Sequence, residues 1–294
     1  KKFRKWSIDA QLEQKIEGMV KNSITQKEPI KFILPFGGYK LWRLPTAPSI
    51  DWAEFFSIHH LCQYVSPIAE CYKPGATIAF LSDDIIIERM DNVPKTHIAQ
   101  YLKSFQNLLN IFRNHLPTNI SLELMRVSDL YKKEEFEMEI SMLFEQAKSE
   151  MVSWDEGRKK SLYENSKLNV MWNGEKNLLD MTSDKKQEFS KRGIILHEAY
   201  RHLNVKRHLE NSSNFIPIAT KPTFRPSLII GSTKNSVSRF WTGFGVLEED
   251  EGTLTNRVLS YSQFLKLQQE VCKRHKVSVE ELKNLPDLLT YPSA

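Results

Sequence analysis

PGATIAFLSDD, residues 74–84, carries the pattern that decides the fold. A Pro-Gly turn comes first, an uncharged and largely apolar run follows, and two adjacent aspartates end the stretch. A short apolar run between turn residues and acids is typical of a strand that is buried in a sheet. The stretch therefore predicts an interior strand, with Asp83 and Asp84 at its carboxyl end.

Two further strands are predicted around this one, IKFILPF at residues 30–36 and NISLELMRVSD at residues 119–129. Helical periodicity occupies most of the remaining sequence up to residue 210, in five segments: 7–20, 51–72, 94–116, 130–151 and 182–210. Strands that alternate with helices of this length indicate a parallel sheet with right-handed crossovers. We therefore expect an α/β protein with a Rossmann-like parallel sheet and flanking helices.

The C-terminal part has a different pattern, mainly helical at first and then strand-like at residues 228–231 and 243–247. From this change we predict a Rossmann-like core at residues 1–150. Residues 151–294 are predicted to be a helical segment plus C-terminal strands that complete the active site. The two parts together are expected to form one compact unit.

Composition is that of an ordinary globular protein. The 294 residues are 40% hydrophobic and 26% charged, and the net charge is +5. No apolar run is long enough to cross a membrane, and the three cysteines lack the spacing of a zinc site or a disulfide framework. These features predict a cytoplasmic protein that binds an anionic small molecule, with no nucleic-acid or membrane partner, and they are compatible with a homodimer.

Three loops are candidates for the active site, because ligands of parallel sheets bind outside the carboxyl ends of the strands. They are residues 35–43, 82–84 and 126–129, and we expect them to converge at one edge. In the first loop, Gly37 and Gly38 allow a close backbone approach to an anion, while Lys40 and Arg43 add positive charge. A proline-stiffened surface loop remains the plain alternative there.

Several well-known motifs are absent from the sequence. Neither GxGxxG nor GxxxxGK[ST] occurs, so dinucleotide binding and P-loop chemistry lose their main support. HEAYRH places His197 and His202 five residues apart, whereas a zinc-binding HExxH needs four. His197 and Arg201 do share a helix face and could hold an anion, and GSTKNS around Lys234 could hold a phosphate. No metal site is predicted.

Order and spacing of several motifs in residues 33–105 resemble the isonitrile (isocyanide) synthases, the family of pyoverdine and dityrosine biosynthesis enzymes. The motifs are LPFGGYK, PSIDWAEFFSIHHL, CYKPGATIAFLSDD and VPKTHIAQY. The resemblance implies an enzyme that converts the amino group of an amino acid into an isonitrile, with ribulose 5-phosphate as the carbon donor. It implies no metal or organic cofactor.

This chemistry needs cations for a sugar phosphate and groups that transfer protons near neutral pH. The resemblance and the chemistry together nominate Lys40, Asp83, Asp84 and His197 as catalytic residues. The substrate- and phosphate-binding residues nominated are Gly37, Gly38, Arg43, Arg201, Lys234 and Arg239. Adjacent carboxylates can raise one pKa to a useful value, although neighbours on an extended strand point to opposite faces.

Other function classes share parts of this pattern. A methyltransferase that uses S-adenosylmethionine would have the same α/β layout and an acidic end of the second strand, but its first loop normally carries a GxG-type turn. A nucleic-acid-binding module would need clustered basic and aromatic residues. Only Lys40, Trp42 and Arg43 suggest such a cluster in this sequence. A non-catalytic binding protein is the third alternative.

Overall fold

We describe the fold from a computed structural model of the full chain. The structure describes residues 10–37, 50–91, 93–160, 172–173, 176–177, 182–203, 215–219, 228–229, 244–250, 253–259 and 290–292, with isolated positions between 263 and 273. Two compact units divide the chain. Unit 1 comprises Lys1–Leu81, Ala99–Leu124 and Asn214–Ala294, and unit 2 comprises Ser82–Ile98 and Met125–Ser213.

Ten strands and seven α-helices have bounds within the described residues. The strands are β1 (Ile30–Phe36), β2 (Ala76–Ser82), β3 (Ile120–Arg126), β4 (Trp172–Asn173), β5 (Lys176–Asn177), β6 (Phe215–Ala219), β7 (Leu228–Ile229), β8 (Phe244–Asp250), β9 (Thr253–Leu259) and β10 (Thr290–Pro292). The helices are α1 (Ala10–Gln26), α2 (Trp52–Cys71), α3 (Asp84–Asp91), α4 (Lys95–Arg113), α5 (Val127–Leu130), α6 (Lys133–Glu150) and α7 (Ser183–His202).

The main sheet has five strands in the order β3-β2-β1-β6-β7. β6 pairs in parallel with β1 on one side and with β7 on the other. Every residue of β2 is buried, as the uncharged run had indicated. The predicted α/β class, with a parallel sheet and flanking helices, is confirmed.

Aromatic side chains fill the space between the main sheet and α4. The Phe105 ring on α4 lies 5.1 Å from the Phe36 ring of β1 and 5.2 Å from the Phe80 ring of β2, measured between centroids. All three side chains are almost completely buried. Burying rings of this size is the main source of stability in such a core.

The Pro-Gly turn before β2 also behaves as its sequence predicts. Gly75 has φ +72°, and a Cβ at this position would come within 1.8 Å of the Asn119 carbonyl oxygen. Only glycine fits so close an approach with a positive φ. The turn thereby brings the start of β2 beside Asn119, which directly precedes β3.

A second sheet in unit 1 packs on α2. β8 and β9 form an antiparallel hairpin, and β10 pairs in parallel with β8. The contact is close at Gly245, where a Cβ would lie 1.9 Å from the Ala53 nitrogen. This glycine therefore lets the strand approach the first turn of the helix.

Buried carboxylates fix this helix start. Asp51 caps α2: its Oδ1 accepts hydrogen bonds from the Ala53 nitrogen (2.7 Å) and from the Gly245 nitrogen (3.0 Å). Glu54 completes the capping box by accepting from the Asp51 nitrogen (2.8 Å), and it accepts from the Tyr101 hydroxyl (2.7 Å). We call Asp51 and Glu54 the capping acids, since each holds the fold together through its hydrogen bonds.

Candidate active site

Two aspartates lie where β2 ends, both within unit 2. The Asp83 carbonyl accepts a hydrogen bond from the Ile87 nitrogen (2.8 Å), which makes Asp83 the residue that precedes α3. Asp84 is the first residue of that helix. Negative charge is favoured at this end of a helix. We call the two residues the acid pair.

Asp84 is held in place by the segment that follows β3. Its Oδ1 accepts from the Ser128 nitrogen at 3.1 Å, and its Oδ2 accepts from the Ser128 hydroxyl at 2.5 Å. Asp84 is buried, and α5, which carries Ser128, packs against α3. The structure therefore brings together the second and third of the three predicted loops.

Asp83 is in a different electrostatic position. Its side chain is half-buried and has no hydrogen-bonding partner among the residues that the structure describes. Removal from water raises the pKa of the Asp83 carboxyl to about 7, and the charge of Asp84 adds to the effect. A carboxyl with this pKa can both give and take a proton near neutral pH.

Helix α7 packs against α3 and α6 within the same unit. The predicted residues His197 and Arg201 lie on this helix, and their side chains fall outside what the structure describes. Between them, Glu198 is almost completely buried. Its Oε1 accepts from Arg158 Nη2 at 2.8 Å and lies 3.3 Å from His202 Nε2.

The sequence reasoning did not single out Glu198 or Arg158. A usable signal was present, because Ile194, Glu198 and His202 are four residues apart in turn and so share one helix face. A buried residue at the first of these positions would have indicated that the glutamate beside it is also covered. The partner Arg158 lies in another segment, so the sequence held no spacing that could reveal it.

Of the other predicted site residues, one is described by the structure. Gly37 is buried and directly follows β1 in unit 1. Gly38, Lys40, Arg43, Lys234 and Arg239 lie outside the described residues. Their roles stay predictions, as do those of His197 and Arg201.

Among the described residues, no three His, Cys, Asp or Glu side chains are grouped so that they could hold a metal ion. In the helices that the structure describes, none has the length and apolar character needed to cross a bilayer.

Comparison with known proteins gives one family and one fold. The sequence model of a family described as "Pyoverdine/dityrosine biosynthesis protein" matches residues 20–195, which is more than half of the chain. The crystal structure of the PvcA protein from Pseudomonas aeruginosa has a similar fold, with a TM-score of 0.62 and 18% sequence identity over 88% of each chain. No curated protein sequence matches the chain. The family match includes the acid pair, α3 and most of α7.

Proposed function

The chain belongs to the pyoverdine/dityrosine biosynthesis protein family, and from this premise we propose that it converts the amino group of an amino acid into an isonitrile. Family membership itself indicates a biosynthetic enzyme of the isonitrile synthase type. The finer proposal is that ribulose 5-phosphate supplies the isonitrile carbon. The amino acid and the sugar phosphate are then the two substrates.

One observation carries the proposal: the acid pair places a carboxylate that is held by hydrogen bonds beside a carboxyl whose pKa is raised into the neutral range. The bonds from Ser128 keep Asp84 in place, while Asp83 has no described partner and a pKa of about 7. Condensation of an amine with a ketone needs a proton acceptor at the first step and a proton donor when water leaves. Asp83 has the pKa for both roles.

The reaction can be written without an external oxidant. The amine nitrogen forms a bond to the ketone carbon of the sugar phosphate, and the ketone oxygen leaves as water. The two carbon–carbon bonds to that carbon then break, and the phosphate is released as inorganic phosphate. The other sugar carbons leave at the oxidation level of carbonyl fragments, so protons move but no electrons are added or removed.

Residues for the phosphate come from the loop after β1 and from the C-terminal part. Gly37 and Gly38 are proposed to bring the backbone near the phosphate, and Lys40, Arg43, Lys234 and Arg239 to supply positive charge. We expect Lys40→Ala to weaken ribulose 5-phosphate binding about ten- to a hundredfold, the effect of one charge-assisted contact. Calorimetric titration of the wild type and the variant measures it. Equal affinities would remove Lys40 from the site.

The decisive experiment is turnover with labelled sugar. The purified chain is incubated with ribulose 5-phosphate labelled at the ketone carbon and with pools of amino acids, and mass spectrometry follows the label. We expect it in an isonitrile. A parallel thermal-shift assay with ribulose 5-phosphate and S-adenosylmethionine separates a synthase from a methyltransferase. Stabilisation by S-adenosylmethionine alone, without labelled product, would contradict the proposal.

Asp83→Asn tests the acid pair in the same assay, and Asp184→Asn is its control. Asp184 is an exposed aspartate in the first turn of α7, in the same unit but outside the three candidate loops, so its replacement makes the same chemical change away from the acid pair. We expect labelled product from the control and almost none from Asp83→Asn. Equal yields from the two variants would exclude Asp83 as the proton-transfer group.

A further inference from the structure

Glu198 on α7 brings two nitrogen donors to one buried oxygen. Arg158 Nη2 lies 2.8 Å from Glu198 Oε1, and His202 Nε2 lies 3.3 Å from the same atom. The two nitrogens are therefore no more than 6.1 Å apart, the sum of these distances. These two nitrogens already contact Glu198 Oε1, so an anion that bridges the two side chains would use their other nitrogens.

Arg158 is held from two further directions. Its guanidinium carbon lies 4.6 Å from the centre of the Trp154 ring, and that ring is buried against Ile194 and Met151. Its backbone nitrogen donates to Asp155 Oδ1 at 2.7 Å, in the first turn of the helical residues 156–160. The Trp154 ring and Glu198 thus orient the guanidinium before any ligand arrives, which lowers the entropy cost of binding.

The cluster places its negative charge inside and its donors outside. The Glu198 side chain is 3% exposed, whereas the side chains of Arg158 and His202 are 43% and 57% exposed. Within the described part of the chain, the remaining guanidinium nitrogens and His202 Nδ1 have no hydrogen-bonding partner. An incoming anion would meet the exposed guanidinium nitrogens first, and Nδ1 donates to it in the doubly protonated ring.

A simple salt bridge requires neither a second nitrogen donor nor an aromatic ring beside the guanidinium. One cation neutralises Glu198, and exposed ion pairs contribute little to stability. Here a second donor shares the same oxygen and an aromatic ring fixes the plane of the first. The guanidinium lies on the exposed side of the cluster and the Glu198 carboxylate on the buried side, so an anion that approaches from solvent meets positive charge first.

We propose that Arg158 and His202 form a binding subsite for an oxyanion, a phosphate or a carboxylate, with Glu198 as the positioning residue that holds the two side chains together. The assignment rests on the proposed function for its ligand, since both substrates there carry such a group. The cluster and the acid pair belong to the same unit of the chain.

Calorimetric titration of the full chain with inorganic phosphate, ribulose 5-phosphate and acetate tests the subsite. Arg158→Lys keeps the charge but loses the planar fork, and His202→Asn removes the second donor. Lys159→Ala is the matched control, because it removes a whole charge at the next residue, where, among the described residues, the lysine pairs with Glu156 alone. We expect each subsite variant to weaken binding about tenfold or more, and the control to stay within about twofold.

A double variant guards against loss of the fold. Arg158→Met combined with Glu198→Gln removes the ion pair without leaving a buried charge, so it is expected to fold and to lose anion binding. Phosphate binding without acetate binding assigns the subsite to the sugar phosphate, and the reverse assigns it to the amino-acid carboxylate.

Two results would overturn the subsite: affinities of Arg158→Lys and His202→Asn equal to that of Lys159→Ala, or no binding of any of the three anions by the wild type. Failure of the proposed function looks different. If phosphate or acetate binds through Arg158 while ribulose 5-phosphate neither binds nor gives labelled product, the carbon donor is wrong and the subsite stands.

Discussion

The two units of the chain each contain a pair of buried or half-buried acids near the start of a helix, and the pairs have opposite characters. In unit 1 the capping acids accept hydrogen bonds from backbone nitrogens of α2 and β8 and from the Tyr101 hydroxyl. In unit 2, Asp84 is bound twice by Ser128, while Asp83 has no described partner. Residue type and burial alone therefore do not identify a reactive carboxyl.

The difference lies in how the charge is stabilised. The oxygens of the capping acids are satisfied by hydrogen bonds, so their burial stabilises the fold. A carboxyl that is removed from water beside a second negative charge holds its proton up to neutral pH, as Asp83 does with a pKa of about 7. The first arrangement adds stability, and the second gives up stability for reactivity.

The largest expected effect is on catalysis by the acid pair. Asp83→Asn should lower the turnover rate by about a hundred- to ten-thousandfold, because the amide cannot exchange a proton. The labelled-sugar assay measures it, and denaturant unfolding at pH 8 checks that the variant is at least as stable as the wild type. A variant that is both inactive and much less stable would show that Asp83 has a structural role, like the capping acids.

A structural effect of similar free energy is expected in unit 1. Gly245→Ala should cost about 3 kcal/mol of unfolding free energy, because the new Cβ would overlap the Ala53 backbone and break the contact of Asp51 with β8. Gly18→Ala is the control: this helical glycine faces open space, so alanine should stabilise the protein by about 0.5–1 kcal/mol. Urea unfolding of both variants decides.

The pH dependence of stability gives a third contrast. Between pH 5 and about pH 7 the folded chain retains a proton on Asp83 that the unfolded chain has lost, and above pH 7 the folded chain loses it too, because the folded pKa is about 7 and the ordinary value is 3.8. Its contribution to the unfolding free energy therefore falls as pH rises, on the order of 2 kcal/mol over this range. Comparing urea unfolding of the wild type and Asp83→Asn at each pH isolates it; parallel curves would refute the raised pKa.

Removing one donor from a capping acid should have a slightly smaller effect. Tyr101→Phe keeps the buried ring and takes away the hydroxyl that Glu54 Oε1 accepts from, which should cost about 1.5 kcal/mol. Thermal and urea unfolding measure the change. No loss of stability would mean that another donor replaces the hydroxyl.

The smallest effect is expected for the corresponding change in unit 2. Ser128→Ala removes the hydroxyl from Asp84 but leaves the backbone nitrogen as donor, so it should cost about 1 kcal/mol. The loss of turnover in Ser128→Ala should exceed the loss of stability in free-energy terms, because Asp84 is then no longer fixed in one orientation beside Asp83. Turnover as a function of pH is the measurement, and an unchanged profile would separate Ser128 from the chemistry.

Much of the main sheet followed from sequence pattern. The runs that predicted β1 and β2 match the observed strands, and the capping residue Asp51 was recognised as the start of a helix. These segments carry their structure in local signals, an apolar run between turns or a helix cap. Tertiary contacts agree with those signals and do not override them.

β6 and α3 were missed for physical reasons. β6 contains Pro217, which lacks a backbone donor and lowers the expectation of a strand, although it lies opposite Ile33 of β1. α3 begins one residue after β2 ends, so no loop separates the two elements; Asp84 was assigned to a loop, and no element was predicted for the rest of α3. In both cases contacts with distant segments of the chain accompany the structure that was missed.

The candidate site divides in the same way. Asp83 and Asp84 could be predicted, because strand ends of parallel sheets are known locations for ligands. The role of Ser128 as the partner of Asp84 and that of Arg158 as the partner of Glu198 could not, since the partners are 44 and 40 residues apart. A hydrogen bond between side chains so far apart in the sequence produces no periodic pattern that could be recognised.

Because β1 pairs with β6, the main sheet cannot be completed until late in translation. Lys31 lies opposite Phe215, so 184 residues must be translated after the first strand before its neighbour exists. At about 5–20 residues per second this takes roughly 10–40 s on the ribosome. During that time one long edge of an apolar strand has no partner, and such an edge is where nascent chains associate wrongly. We expect this segment to be the one that chaperones hold during synthesis.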